Sequence, residues 1–214
     1  MRLTKHAHAC VEISTDDGHV LIDPGVYAPK AAELIAETDA ILLTHEHPDH
    51  VHAEAILAAL AARPGLRVWG PAAVVGEWVA RFPAQVVAVA PGDAFGAGGL
   101  DVTVHGGLHA VIHPDLPRFV NVGYLVDGRI YHPGDSYEAP GVGVEVLLVP
   151  VSGPWARFGD AADLVRAVAP ARAIQIHDAM LSEIGIASAT RFLSAGALVK
   201  VDVEHLAPGE SVEI

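Results

Sequence analysis

Cysteine is almost missing from this chain. Cys10 is the single one in 214 residues, so no disulfide can form within it. It lies in a short apolar segment and reads as an inert buried thiol. Lysine is scarce too (Lys5, Lys30 and Lys200), and the arginines are scattered. The 13 Lys and Arg face 26 Asp and Glu, giving a net charge of −13, which excludes the clustered basic groove that nucleic acid requires. Plain solubility accounts for such acidity. No uninterrupted apolar run reaches the length of a bilayer span, so no membrane partner is expected. Met1 to Cys10 carries charge and histidine but no apolar leader core. A soluble cytoplasmic protein is the expectation. Linkers, low-complexity tracts and solenoid repeats are also lacking. With 51% hydrophobic residues, the chain is expected to build one large core, a single domain over residues 1–214.

Histidine, in contrast, is abundant, with 13 in the chain. Three of them crowd one stretch, Leu42-Leu43-Thr44-His45-Glu46-His47-Pro48-Asp49-His50. An apolar run, Ala40 to Leu43, precedes it and reads as a buried strand. An Ala/Leu-rich run, Val51 to Ala62, follows and reads as a helix. His45 and His47, two residues apart on a turn, can aim at one cation. Pro48 favours an extended His47, so the helix is expected to begin near Pro48 or Asp49. Asp49 and His50 would then occupy the first helical turn and point at a second cation. Imidazole nitrogen and carboxylate oxygen suit zinc, and also iron or manganese.

Further along, the chain reads as strands alternating with helices. Strands are expected at Leu3–Lys5, Ala9–Ser14 and Val20–Ile22, the last two joined across Asp16-Asp17-Gly18. Helices are expected at Ala31–Ala36, Ala72–Arg81, Asp160–Val168 and Ile186–Leu193. Val120–Val126 and Arg129–His132 read as a hairpin, Val144–Val149 and Ala173–Ile176 as apolar strands. Terminal strands are expected near Val199–Val203 and Val212–Ile214. This alternation is compatible with an α/β sandwich. Asp135 follows a strand in Pro133-Gly134-Asp135, and its two oxygens can bridge two cations. His177 caps the strand Ala173–Ile176. His105, His109 and His113 are spaced four apart, so spacing does not choose among them.

His45-Glu46-His47-Pro48-Asp49-His50 after an apolar strand resembles the signature of the metallo-β-lactamase-fold hydrolase superfamily. Leu21 to Gly25, Tyr131 to Ser136 and Gln175 to Asp178 fall in the order that family shows, so the likeness spans nearly the whole chain. It is greatest to the small members that include ascorbate-6-phosphate lactonase-like proteins. The resemblance implies a four-layer αββα sandwich, two mixed sheets flanked by helices, with metals along one edge. It selects His109 as the third ligand and implies His45, His47 and His109 on one ion, with Asp49, His50 and His177 on the other. Asp135 would bridge the two. It also suggests that Asp23 orients a ligand imidazole, and it leaves His8 evenly poised between facing the pocket and not.

Two divalent ions, zinc first and manganese or iron next, would share a hydroxide that attacks an ester, lactone or phosphodiester of a small molecule. Asp49 would orient it, and His113 is a candidate proton donor to the leaving group. Arg118, Trp155 and Arg157 are candidate substrate contacts, and an arginine there would hold an anionic substrate. His47 stands where flavodiiron-type relatives carry Glu, which favours hydrolysis over oxygen chemistry. The rivals are a mononuclear iron dioxygenase on the same fold, or a non-catalytic metal-binding protein.

Overall fold

The computed structural model describes residues 1–16 and 18–214; Asp17, in the turn expected at Asp16-Asp17-Gly18, lies outside them. The first half of the chain runs β1 (Arg2–Ala7), β2 (Cys10–Thr15), β3 (Gly18–Ile22), α1 (Ala31–Glu37), β4 (Ala40–Leu42), α2 (Ala53–Ala62), β5 (Arg67–Gly70), α3 (Ala72–Arg81) and β6 (Val86–Ala88). The second runs β7 (Ala94–Ala97), β8 (Leu100–Leu108), β9 (Val120–Val126), β10 (Ile130–His132), β11 (Val146–Pro150), α4 (Phe158–Val168), β12 (Arg172–Ile176), α5 (Glu183–Phe192) and β13 (Val203–Glu204). A last strand, β14 (Glu210–Glu213), returns to pair with β1.

The strands form two seven-stranded sheets, ordered β14-β1-β2-β3-β4-β5-β6 and β13-β12-β11-β10-β9-β8-β7. In each sheet, antiparallel pairs give way to parallel ones, at β3–β4 in the first and β10–β11 in the second. The parallel strands are buried on both faces, so they read as continuous apolar runs such as Val-Leu-Leu-Val-Pro in β11 rather than alternating ones. Val20, Leu42, Tyr124, Leu148 and Ile174 belong to the apolar cluster between the sheets. Ile41, Ile56 and Val75 belong to a second, under α1 to α3, and Leu147, Leu164 and Ala189 to a third, under α4 and α5. Three apolar layers between four structural ones make the αββα sandwich. The Tyr124 hydroxyl donates to the Leu43 carbonyl (2.7 Å), so the phenol that fills the inter-sheet core is also satisfied there.

Two expected elements differ in extent. The helix after the histidine motif starts at Ala53, not near Pro48 or Asp49. The His47 carbonyl accepts from both the His50 and Val51 amides, closing a turn, and the His52 amide is drawn to the Pro24 carbonyl (3.0 Å). His52, inside the helix expected from the sequence, is instead its N-cap: its ring accepts from the Ala55 amide. Asp49 and His50 therefore project from an irregular turn pinned to the β3–α1 loop. At the end of the chain, the strand expected at Val199–Val203 shrinks to β13, with Val199 in a single bridge to Ala195.

Candidate metal centre

β1, β3, β4, β8, β10 and β12 all end at one edge of the sandwich, and each ends on a polar side chain aimed at its neighbours there. His8 turns β1 into β2, Asp23 ends β3, and the motif follows β4. His109 follows β8, Asp135 follows β10 and His177 follows β12. Two sets of potential donor atoms converge, His45, His47, His109 and Asp135 in one and His8, Asp49, His50 and His177 in the other. Within each, the atoms lie within 4.8 Å of one another. All seven residues expected from the sequence as ligands are thus brought together.

Asp135 stands between the sets. Its oxygens lie 3.6 Å from His45 Nε2, 3.3 Å from His109 Nε2, 3.1 Å from His50 Nε2 and 3.1 Å from His177 Nε2. Asp49 Oδ2 lies 3.4 Å from His177 Nε2 and 3.9 Å from His50 Nε2. Tetrahedral ligands at ~2.1 Å from one ion would be ~3.4 Å apart, so these spacings suit donors around cations. The hydrogen-bond census agrees. Nε2 of His50, His109 and His177, together with Asp135 Oδ1, are buried without a hydrogen-bond partner. Orphaned polar atoms in a core are costly, and four meeting at one centre fit metal ligands.

The backs of the His45, His50 and His109 rings are held, while His177 Nδ1 is buried without a hydrogen-bond partner. His50 Nδ1 donates to Asp23 Oδ2 (2.7 Å), and His109 Nδ1 donates to the Ala110 carbonyl (2.6 Å). Asp23 also accepts the Thr44 amide (2.8 Å) and hydroxyl (2.7 Å), and that hydroxyl contacts His45 Nδ1 at 3.0 Å. One buried carboxylate therefore orients two imidazoles and leaves their Nε2 atoms facing the centre. Asn121 fixes the turn carrying Asp135, accepting the Asp135 amide (2.9 Å) and donating to the Pro133 carbonyl (2.9 Å). Phe119 packs edge-on against His47, with centroids 4.6 Å apart. Thr44, Asn121 and Phe119 escape a reading by residue type, because their roles exist only once distant strands meet.

His8 faces the centre. Its Nδ1 accepts the Ala179 amide (3.4 Å), which leaves Nε2 as the donor to Asp49 Oδ2 (3.0 Å). His113, expected as a catalytic acid, does not join the cluster. Its ring is 62% exposed and its Nδ1 accepts the Asp115 amide, so it folds back on its own loop. Arg157 is held by Asp160 through two hydrogen bonds, and Arg118 donates both Nε and Nη2 to the His109 carbonyl.

His8 (φ 55°), Asp23 (φ 49°) and His177 (φ 58°) all adopt the left-handed conformation. His and Asp tolerate it better than branched residues, yet each costs free energy that the surrounding contacts offset. Electrostatics divide the rings. Burial pushes the His50 imidazole down, but the Asp135 and Asp23 carboxylates together overcome it and hold His50 well above its usual range. His177 is raised by the same contest, with Asp135 and Asp49 opposing burial. His45 falls well below, through burial and then the charge of His50. Burial pushes Asp135 up, but His50 and His177 reverse that and hold it ionised. Asp49 is ionised too, its burial outweighed by the nearby His177 and His8 imidazoles.

A two-sheet sandwich with imidazoles and carboxylates gathered at its strand ends defines a metal-dependent hydrolase of the metallo-β-lactamase fold. The chain belongs to the beta-lactamase superfamily domain family, whose model matches residues 2–177. It is 38% identical over 190 residues to protein Rv0786c of Mycobacterium tuberculosis, covering 85% of this chain and 86% of that one. It is 30% identical over 191 residues to a UPF0173 protein, PF0020 of Pyrococcus furiosus, covering 86% of each. Other UPF0173 relatives are described as metal-dependent hydrolases. Among solved structures, Igni18, a metallo hydrolase from Ignicoccus hospitalis, superposes with a TM-score of 0.73 at 20% identity, over 99% of this chain and 97% of that one. No helix among the described residues is long and apolar enough to cross a membrane.

Proposed function

We propose that this hydrolase works with two divalent cations and cleaves an ester, lactone or phosphodiester bond of a small molecule. His45, His47 and His109 would hold one ion, Asp49, His50 and His177 the other, and Asp135 both. The observation that carries this reading is the place of Asp135, within 3.6 Å of ring nitrogens from both sets. With imidazoles and carboxylates and no thiolate among the donors, zinc is the first choice and manganese or iron the next. Divalent cations bound there supply Lewis acidity and a water acidic enough to ionise near neutral pH.

The chain's own groups do the rest. Asp49, 19% exposed against 2% for Asp135, is the cluster carboxylate open to solvent. Kept ionised, it would accept a hydrogen bond from the attacking water and orient it. His8, within the same donor set, holds Asp49 at Oδ2, the oxygen turned toward His177 and His50. Asp23 and Thr44 fix His45 and His50 before substrate arrives, so no reorganisation accompanies the reaction. His113, folded onto its own loop, takes no part.

Asp135→Ala removes the shared oxygens. Elemental analysis of the purified variant is expected to show loss of at least one of two metals per chain, with activity on ester, lactone and phosphodiester probes falling by at least a hundredfold. Retention of two metals would contradict the reading.

A further inference from the structure

Beside the centre lies a groove of about 990 Å³, within the range of small-molecule sites. Trp155 joins the two. Its ring is 5.5 Å from that of His109 and 5.4 Å from that of His177, and it lines the groove. Val111, Ile112 and Leu164 add apolar wall. The lining holds two guanidiniums, Arg118 and Arg157, and three carboxylates, Glu138, Asp160 and Asp163. Both guanidiniums are already partly engaged, each through Nε and Nη2. Arg157 Nε and Nη2 are 2.9 and 3.1 Å from the Asp160 oxygens, and Arg118 Nε and Nη2 are 3.0 and 2.8 Å from the His109 carbonyl. The other loops at this edge repeat the pattern. Tyr27, 48% exposed, packs edge-on to His8, and Met180, 57% exposed, follows the Ala179 amide that binds His8.

We propose that this groove binds the neutral, apolar acyl part of the substrate, so that the enzyme prefers uncharged aliphatic esters or lactones to anionic ones. The inference rests on the hydrolase reading above and deepens it. An anionic tail would meet three carboxylates and two engaged arginines, while an alkyl tail would meet Trp155, Val111 and Ile112. Each methylene buried against them is expected to raise kcat/KM roughly fourfold.

The test uses a matched pair, p-nitrophenyl hexanoate and mono-p-nitrophenyl adipate, which differ in a terminal methyl against a carboxylate. The metal-loaded enzyme is expected to favour the hexanoate by at least tenfold in kcat/KM. Asp160→Asn, which frees Arg157, is expected to narrow that gap severalfold. Equal or better hydrolysis of the adipate, with Arg157→Ala raising its KM selectively, overturns the inference but leaves the hydrolase reading standing. A second readout needs no turnover: the indole resonance of Trp155, assigned with Trp155→Phe, titrated with hexanamide and with adipamate. A shift with hexanamide and none with adipamate supports the groove's preference even if neither ester is cleaved, an outcome that would count against the ester reading alone. A shift with adipamate alone, or with neither, overturns the proposal.

Discussion

Asp23 touches no reacting atom, yet much of the centre depends on it. It is fully buried and accepts three hydrogen bonds, two from Thr44 and one from His50. Asp23→Ala would leave those donors unpaired in the core, at about 1–3 kcal/mol each. It would also let the His50 ring turn, and loss of such a partner costs about 10–100-fold in metal affinity or activity. Calorimetric metal titration of Asp23→Ala is expected to show that weakening; unchanged affinity would deny Asp23 its orienting role. His8 acts on Asp49 in the same way. His8→Ala is expected to lower kcat by about tenfold or more while KM stays within twofold, since the His8 ring bonds Asp49. A change confined to KM would place His8 against the substrate instead.

Among the elements, the β3–α1 loop shows how closely the motif is clamped. A Cβ added to Gly25 would lie 1.8 Å from the Asp49 carbonyl oxygen and 2.4 Å from the His50 nitrogen, both backbone atoms. Only glycine lets the two loops touch. Gly25→Ala is expected to cost about 1–3 kcal/mol, read as a lowered melting temperature, and to disturb Asp49 and His50 together. The same loop explains what the sequence could and could not tell. β4 and β11 are legible as continuous apolar runs, β12 as one interrupted by Gln175, and the candidate ligands because histidine and aspartate stand at strand ends. The start of α2 was not legible. Pro48 is a fair start signal, but the Pro24 carbonyl captures the His52 amide, and Pro24 lies 28 residues away. The choice of His109 over His105 and His113 was open to spacing too. His105 lies within β8, bonded to Thr103, and His113 bends back on Asp115. Only the resemblance to a known family singled out His109. Asp23 was visible as a residue, but its partners Thr44 and His50 became so only in three dimensions.

At the scale of the whole molecule, the centre joins the two sheets. His8, Asp23 and the motif come from the first, and His109, Asp135 and His177 from the second. Cations held there as proposed would cross-link the halves, so chelation is expected to lower the melting temperature, and by more at higher free-metal concentration in the reference sample. The metal-free protein carries a pH signature of its own. The raised pKa values of His50 and His177 give stability that is present below about pH 6.5 and lost as pH climbs through their folded values. The lowered values of Asp49 and Asp135 give stability present above about pH 4 and lost as pH falls through theirs. Thermal melts of metal-free protein are expected to peak between those limits. Metal held by His50 and His177, as proposed, would have to displace their protons, so its apparent affinity is expected to rise with pH across the same window. A flat affinity profile would contradict that competition.

The central claim is that two cations share one carboxylate. Electron paramagnetic resonance of protein reconstituted with two equivalents of Mn2+ reads it most directly. A magnetically coupled pair is predicted in the unaltered protein, giving way to the six-line spectrum of isolated ions in Asp135→Ala. Isolated ions in the unaltered protein at full occupancy would contradict the account.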